Sequence, residues 1–289
     1  MISSNRMNKL TDHFVHAVFF ACALSAVLAV LTISFYIFIA GWPIIHSRGL
    51  SFLFGSHWYP NQDVFGILPM IVGSIAVTFG ALSIGVPMGL AGAIFLAELA
   101  PPLMIRILRP AIELLAGIPS VVYGFFGMTL LVPWIRVYVG GNGYSVLAGS
   151  IVLAVMILPT IITISETSLR SVPKEYKEGS AALGATHWQT IHRILLPAAS
   201  SGIIAGIVLG MARAIGETMA IIMVTGNVTA IPTSILDPTR TLTGNIVLEM
   251  AYAAGDHQAA LFATGAVLFF FILLLNLLVT AISRQAVRN

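Results

Sequence analysis

The sequence predicts an all-α membrane protein of six transmembrane helices with both termini in the cytoplasm. Three observations carry the prediction. Only 9% of the 289 residues are charged and 58% are hydrophobic, whereas a soluble domain carries about 25% charged residues. The apolar residues fall in blocks long enough to cross a bilayer, which takes about 20 residues per helix. The basic residues between those blocks are distributed unevenly, as expected of a chain with a cytoplasmic and an outer side.

The first block, residues 14–41, is too long for the core of a signal peptide. No small-residue cleavage site follows it, so it reads as a retained span. It forms, with the tail before it and an outer loop after it, an N-terminal segment 1–66. Five further spans fall at 67–90, 112–134, 145–168, 200–223 and 258–283, and make a transmembrane domain 67–283, followed by a short cytoplasmic tail, 284–289. Helices are expected because each satisfies its own backbone within lipid. The second block runs without charge from Val64 to Ala97, longer than one span needs. Gly85, Pro87 and Gly89 are expected to kink or loosen it, and residues 91–99 either continue the span or lie along the membrane surface.

Ten of the fourteen basic residues fall on one side: Arg6 and Lys9, Arg106 and Arg109, then Arg170, Lys174, Lys177 and Arg193, and last Arg284 and Arg288. The other side holds Arg48, Arg136 and Arg240, and Arg213 lies within a span. Positive-inside asymmetry therefore puts both termini in the cytoplasm, as an even number of spans requires. The outer loops are polar and rich in turn residues. Trp58, Tyr59 and Trp134 are expected at the interface, where amphipathic rings are favoured.

Several function classes drop out. The basic residues form no stripe, so the pI of about 9.2 does not point to nucleic acid. The single cysteine, Cys22, has no disulfide partner, and the seven histidines are dispersed. No Walker A loop occurs, so no cofactor is expected in this chain, and if transport is powered, ATP with its magnesium would sit on another subunit. Neither a nucleophile with a base nor a pair of catalytic carboxylates appears, which disfavours a membrane enzyme. The remaining charges carry weaker claims. Glu113 is placed in the first turn of span three, where the helix dipole favours it, and Gly117 and Pro119 should bend that span. Glu166 and Arg170 are read as a surface pair. Asp237, Arg240 and Asp256, in the outer segment 224–257, either dock a delivery protein or solvate the loop.

The long loop before span five, residues 171–197, carries helix signals. Pro173 fits a first turn, Glu175 and Glu178 favour its N-terminal end, and Gly184 suits a left-handed stop. Thr186 and Gln189 have the spacing of a capping box that opens a second short helix. The loop thus reads as two short helices joined by a glycine turn, with a small middle and with His187 and His192 on its surface.

In span five, Gly202, Gly206 and Gly210 form a small ridge that lets helices approach closely. Arg213 and Glu217, four residues apart, are expected on one helical face. A charge at mid-membrane costs roughly 2.5–3.5 kcal/mol, so the pair should line the bundle interior or a wet cavity. It is either a structural ion pair or part of an anion pathway. In the second case Glu217 would hold the guanidinium, whose planar donors suit phosphate oxygens.

Glu178, Gly184, Ile194, Leu196 and Pro197 match the coupling-loop pattern of type-I ABC importer permeases, which is Glu-Ala-Ala, three residues, Gly, nine residues, Ile-x-Leu-Pro. The chain resembles that family, and departs from it at Gly179 and Ser180, both small. The stretch from Arg213 to Ala220 (Arg-Ala-Ile-Gly-Glu-Thr-Met-Ala), the stretch from Arg109 to Gly124 and Gly226-Asn227 are similar to the phosphate permeases within it. The resemblance implies the type-I importer fold, with half of a pore in each permease. It implies that Glu178, Ala181, Ala182 and Gly184 contact an ATPase, and that Arg213, Glu217 and Thr218 line the substrate path. The implied partners are a second permease subunit (PstA-like), two cytoplasmic ATPase subunits (PstB-like), a phosphate-binding protein (PstS-like) and membrane lipid. The alternative is the same machinery with another oxyanion, such as molybdate, sulfate or phosphonate, as this chain's cargo.

Overall fold

The computed structural model describes the backbone of residues 2–288 and the side chains of residues 15–277. Asn289 and the side chains of Arg6, Lys9, Arg284 and Arg288 lie outside the described residues, and the backbone of 284–288 continues the last helix. In chain order, α1 (Ile2–Arg48) and a short α2 (Leu50–Phe54) lead to a hairpin of β1 (Trp58–Tyr59) and β2 (Val64–Phe65). Then come α3 (Leu68–Leu99), α4 (Pro102–Gly117), α5 (Ser120–Tyr138) and α6 (Val146–Arg170). The loop helices α7 (Lys174–Ala182) and α8 (His187–Ala198) precede α9 (Ser200–Gly216) and α10 (Met219–Val224). After α11 (Leu242–Glu249), α12 (Asp256–Arg288) completes the chain.

Among the described residues, α1, α3, α5, α6 and α12 are each long and apolar enough to cross a membrane. A sixth crossing is counted when α8 and α9, bent by 71°, are taken together. The large apolar side chains that face outward have lipid as their solvent. On α1, Phe19, Phe20 and Phe35 are each 69% exposed, a surface that water would not tolerate.

The second span is straightforward. Helix α3 runs unbroken through Pro87 to Ile94 and continues as one wider turn to Leu99, so residues 91–99 extend the span and do not turn along the surface. Gly85 and Gly89 do not interrupt it. They let α6 approach: a Cβ on Gly85 would lie 2.8 Å from Ile157 Cδ1, and one on Gly89 2.7 Å from Ile161 Cγ2. The third span differs from the sequence reading. It starts at Ser120, because Ile118 and Pro119 adopt extended backbone after α4. Pro119 cannot donate a helical hydrogen bond, and it restricts the residue before it. Residues 102–111 are therefore helix, and Glu113 sits inside α4, away from the start of a span.

The ridge of α9 behaves as predicted. Gly202 faces Ser168, Gly206 faces Ile164, and a Cβ on Gly210 would lie 3.0 Å from Ile161 Cγ1. Ile161, fully buried, is thus gripped by Gly89 on one side and Gly210 on the other. Helices α3, α6 and α9 form a close-packed unit around the central core of Val77, Ala81, Ile157 and Ile161. Gly210→Leu would overfill this contact at a cost of about 1–3 kcal/mol or more. We expect less of that variant in the membrane and a lower melting temperature in detergent. Gly117→Ala, with nothing within 4 Å of the new methyl, should match wild type in both measurements.

Candidate functional site

The fifth span holds the strongest candidate, and it is not a single helix. Helix α9 ends at Gly216, Glu217 is extended (φ −69°, ψ 135°), and α10 begins after Thr218. Seventeen residues of α9 rise about 25 Å, short of the roughly 30 Å hydrocarbon core, and α10 follows after the break at Glu217 and Thr218. The groups left open at the break find local partners. Thr218 Oγ1 donates to Gly216 O at 3.2 Å, and Ala220 N donates to Glu217 Oε1 at 3.2 Å. Thr243 Oγ1, from α11, donates to Glu217 O at 3.0 Å.

The break corrects the expectation of a shared helical face. Arg213 sits in the last turn of α9, while Glu217 caps α10. No hydrogen bond or ion pair joins them among the described residues, so Glu217 does not hold the guanidinium. Arg213 is half-buried. Among the described residues it is the one half-buried cation with neither a hydrogen bond nor an ion pair; Arg106, Lys174 and Arg193, also unpaired, are exposed. Tyr123 lies within its electrostatic reach, with its hydroxyl donating to Leu115 O at 2.7 Å. Glu217 and Thr218 are half-buried at the same break. The sequence reading missed Tyr123 and Thr243, since neither a tyrosine nor a threonine in an apolar span advertises a role by spacing.

The loop helices match their sequence signals closely. Pro173 precedes α7, and Gly184 follows it in the left-handed region (φ +77°). Gly184 N donates to Ala181 O at 2.9 Å and Ala185 N to Ser180 O at 3.2 Å, the paired bonds of a Schellman stop. The capping box is present, with Gln189 N on Thr186 Oγ1 at 3.3 Å and Thr186 N on Gln189 Oε1 at 2.8 Å. Glu178, Ala181, Ala182 and Gly184 are all exposed. They share that surface with Leu183, 91% exposed, and Trp188, 61% exposed. The two departures from the family pattern have separate accounts. Ser180 is buried and bonds Thr190 Oγ1 at 2.9 Å, tying α7 to α8. Gly179 faces open space and is not required by packing.

Two carboxylate hubs brace the ends of the bundle. Glu166 is buried, and its Oε1 accepts from both Arg109 of α4 and Arg170. Arg170 also donates to Leu96 O at 2.6 Å. The expected pair thus forms, with a buried carboxylate and exposed arginines, and extends into a brace across α3, α4 and α6. At the other end Glu249, also buried, accepts from Trp58 Nε1 at 2.8 Å and from Arg240, and pairs with His257 Nε2 at 2.8 Å. Trp58 is thus 3% exposed inside this hub, away from the interface where its ring was expected. Arg240 belongs to the hub, and Asp237 accepts from Thr233 and Ser234 in a tight turn. Those three bonds hold the Asp237 carboxyl below the usual carboxylate range, so their stabilisation is present at neutral pH and is lost only as pH falls through that lowered pKa. Both residues thus have partners within the segment 224–257 or its flanking helix. Asp256 is exposed in the first turn of α12.

Comparisons with known proteins agree with this geometry. Residues 85–288 match the family model described as "Binding-protein-dependent transport system inner membrane component". The chain is 44% identical, over 96% of its length and 94% of the relative's, to the "Probable ABC transporter permease protein YqgH" of Bacillus subtilis. It is 34% identical to the "Phosphate transport system permease protein PstC" of Mesorhizobium japonicum, over 95% of this chain and 89% of that one. Among solved structures, an inward-facing MetNI methionine ABC transporter superposes with a TM-score of 0.62 at 20% identity, covering 80% of this chain and 99% of that one. A bacterial ABC transporter involved in alginate import superposes with a TM-score of 0.59 at 16% identity, covering 91% and 95%. At these identities the structures speak for the fold, which is that of the importer permeases.

Proposed function

The chain belongs to the family of binding-protein-dependent transport system inner membrane components, and on that premise we propose that it is a permease subunit of an ATP-driven phosphate importer. It forms half of the translocation path, and performs no covalent chemistry. A second permease completes the pore, two cytoplasmic ATPases grip the α7–α8 loop of each half, and a phosphate-binding protein delivers cargo at the hairpin end. That arrangement places both termini in the cytoplasm, on the side of the loop.

The observation that carries the reading is Arg213, a half-buried guanidinium with no hydrogen bond or ion pair among the described residues. An unpaired cation at membrane depth is costly unless water or an anion meets it. Its planar donors suit two oxygens of a tetrahedral oxyanion. Because Glu217 does not neutralise it, the full charge is available to the cargo. A lone arginine, without a cage of further cations, also keeps the anion from being trapped, as a conduit requires. Closure of the ATPases below opens the path outward, and hydrolysis resets it. Phosphate as the cargo draws on the likeness to permeases named for phosphate transport.

The test is uptake of radiolabelled phosphate by cells lacking the chain and by cells in which it is restored. Uptake should return with the chain and fall with excess unlabelled phosphate. Competition by sulfate or molybdate at equal concentration would move the cargo to another oxyanion. Absence of any restored uptake would count against the importer itself.

A further inference from the structure

We infer that the ion pair between Lys177 and Glu98 is the joint through which the loop helix α7 moves the transmembrane bundle, and that both are positioning residues for energy coupling. The inference rests on the reading of the 171–197 loop as the element that engages an ATPase.

Helix α7 is weakly held. It buries only Ser180, and the Ser180–Thr190 bond stays within the loop. A cavity of about 360 Å³ opens between α7 and the end of α3, lined in part by Glu98, Lys177, Glu178 and His187. Apolar packing therefore does not fix α7 to the span. The contact that crosses the gap is Lys177, whose Nζ donates to both oxygens of Glu98 at 2.6 and 2.9 Å. The Glu98 side chain is 4% exposed, and Lys177 is its partner among the described residues. Removing one member of such a pair strands a buried charge, so α7 and α3 have to move together or break the pair.

Beyond Glu98 there is little slack. Helix α3 meets α6 at Gly85–Ile157 and Gly89–Ile161, and α6 meets α9 at Ile161–Gly210 and Ile164–Gly206. Arg213 lies one turn beyond Gly210 on α9. Close-packed interiors transmit displacement and do not absorb it. A push on α7 thus reaches the helix that carries the unpaired guanidinium through three interlocked helices. The second loop helix has a different attachment: Ile191 and Leu195 bury themselves against Ala93 and Leu169. It is an apolar anchor, whereas the ion pair is a directional joint.

The test uses the whole importer, captured through a tag on this chain and reconstituted in vesicles with its phosphate-binding protein. The readout is labelled inorganic phosphate taken up per ADP formed. Lys177→Met should lower that ratio about tenfold, within the usual range of coupling energies, with the ATPase still captured in the wild-type amount. Should the stranded Glu98 prevent assembly, Glu98→Gln combined with Lys177→Met leaves no charge unpaired and should assemble with the same loss. The reversed pair, Glu98→Lys with Lys177→Glu, should recover the ratio, a rescue that bulk stability would not produce. An unchanged ratio in the single or double variant, or a reversed pair no better than Lys177→Met, overturns the inference. Failure of the wild-type chain to capture an ATPase overturns instead the reading on which it rests.

Discussion

Arg213→Ala is expected to abolish phosphate uptake while the protein accumulates in the membrane as before. The two halves of that outcome have separate physical causes. In this structure the guanidinium has no hydrogen bond or ion pair among the described residues, so its removal breaks no polar bond. Deleting an unpaired, half-buried cation is neutral for stability or slightly favourable, because burying charge without a partner is itself the cost. For a passing anion the balance reverses. Each hydrogen bond to a charged group is worth about 1.5–3 kcal/mol, and a bidentate grip supplies two. Losing even about 3 kcal/mol slows passage more than a hundredfold. Arg213→Lys keeps the charge and loses the fork, so it should fall between the two. Radiolabelled phosphate uptake measured beside a membrane blot separates the cases. Uptake at the wild-type rate in Arg213→Ala would remove the residue from the path. Low uptake with low protein in the membrane would assign it to folding instead.

What could be foreseen from the sequence follows the range over which each signal acts. The Thr186–Gln189 capping box and the Gly184 stop are written within four residues of themselves, and both form as expected. The ridge of Gly202, Gly206 and Gly210 was equally legible, because a four-residue repeat of small residues has few uses in lipid. The break at Glu217 was not. A run of Arg-Ala-Ile-Gly-Glu-Thr-Met-Ala has no proline, and one of the bonds at the break comes from Thr243, 26 residues away, whose hydroxyl donates to Glu217 O. Glu98 meets Lys177 across 79 positions, and Trp58 meets Glu249 across 191. Such partners are fixed by tertiary packing alone. A single acidic residue at the end of an uncharged span was nevertheless a usable signal, since a charge in that place has to be paired. Arg213 was visible for the same reason, although its lack of a hydrogen bond or ion pair among the described residues became apparent only in the fold.

Gly184→Val is expected to uncouple the importer by distorting the loop before the ATPase ever meets it. The position sits at φ +77°, and nothing lies within 4 Å of where a side chain would begin. Sterics with neighbours therefore play no part, and the whole effect comes from the backbone. A β-branched residue in the left-handed region is a true outlier, at a cost of about 1–2 kcal/mol. The chain can avoid that cost only by giving up the bonds from Gly184 to Ala181 and from Ala185 to Ser180. The angle between α7 and α8 would then change, and with it the joint surface of Ala181, Leu183 and Trp188. Pull-down of the ATPase should fall about 5–30-fold, the factor that one to two kcal/mol represents. Gly184→Asn supplies the discriminating control, because asparagine enters the left-handed region with little penalty while adding a larger side chain than valine's first branch. Asparagine that binds as wild type, beside valine that does not, assigns the role to backbone conformation. Asparagine that fails as badly as valine would mean that the ATPase itself needs the empty space at this position. Valine that binds as wild type would sink the loop as the docking element.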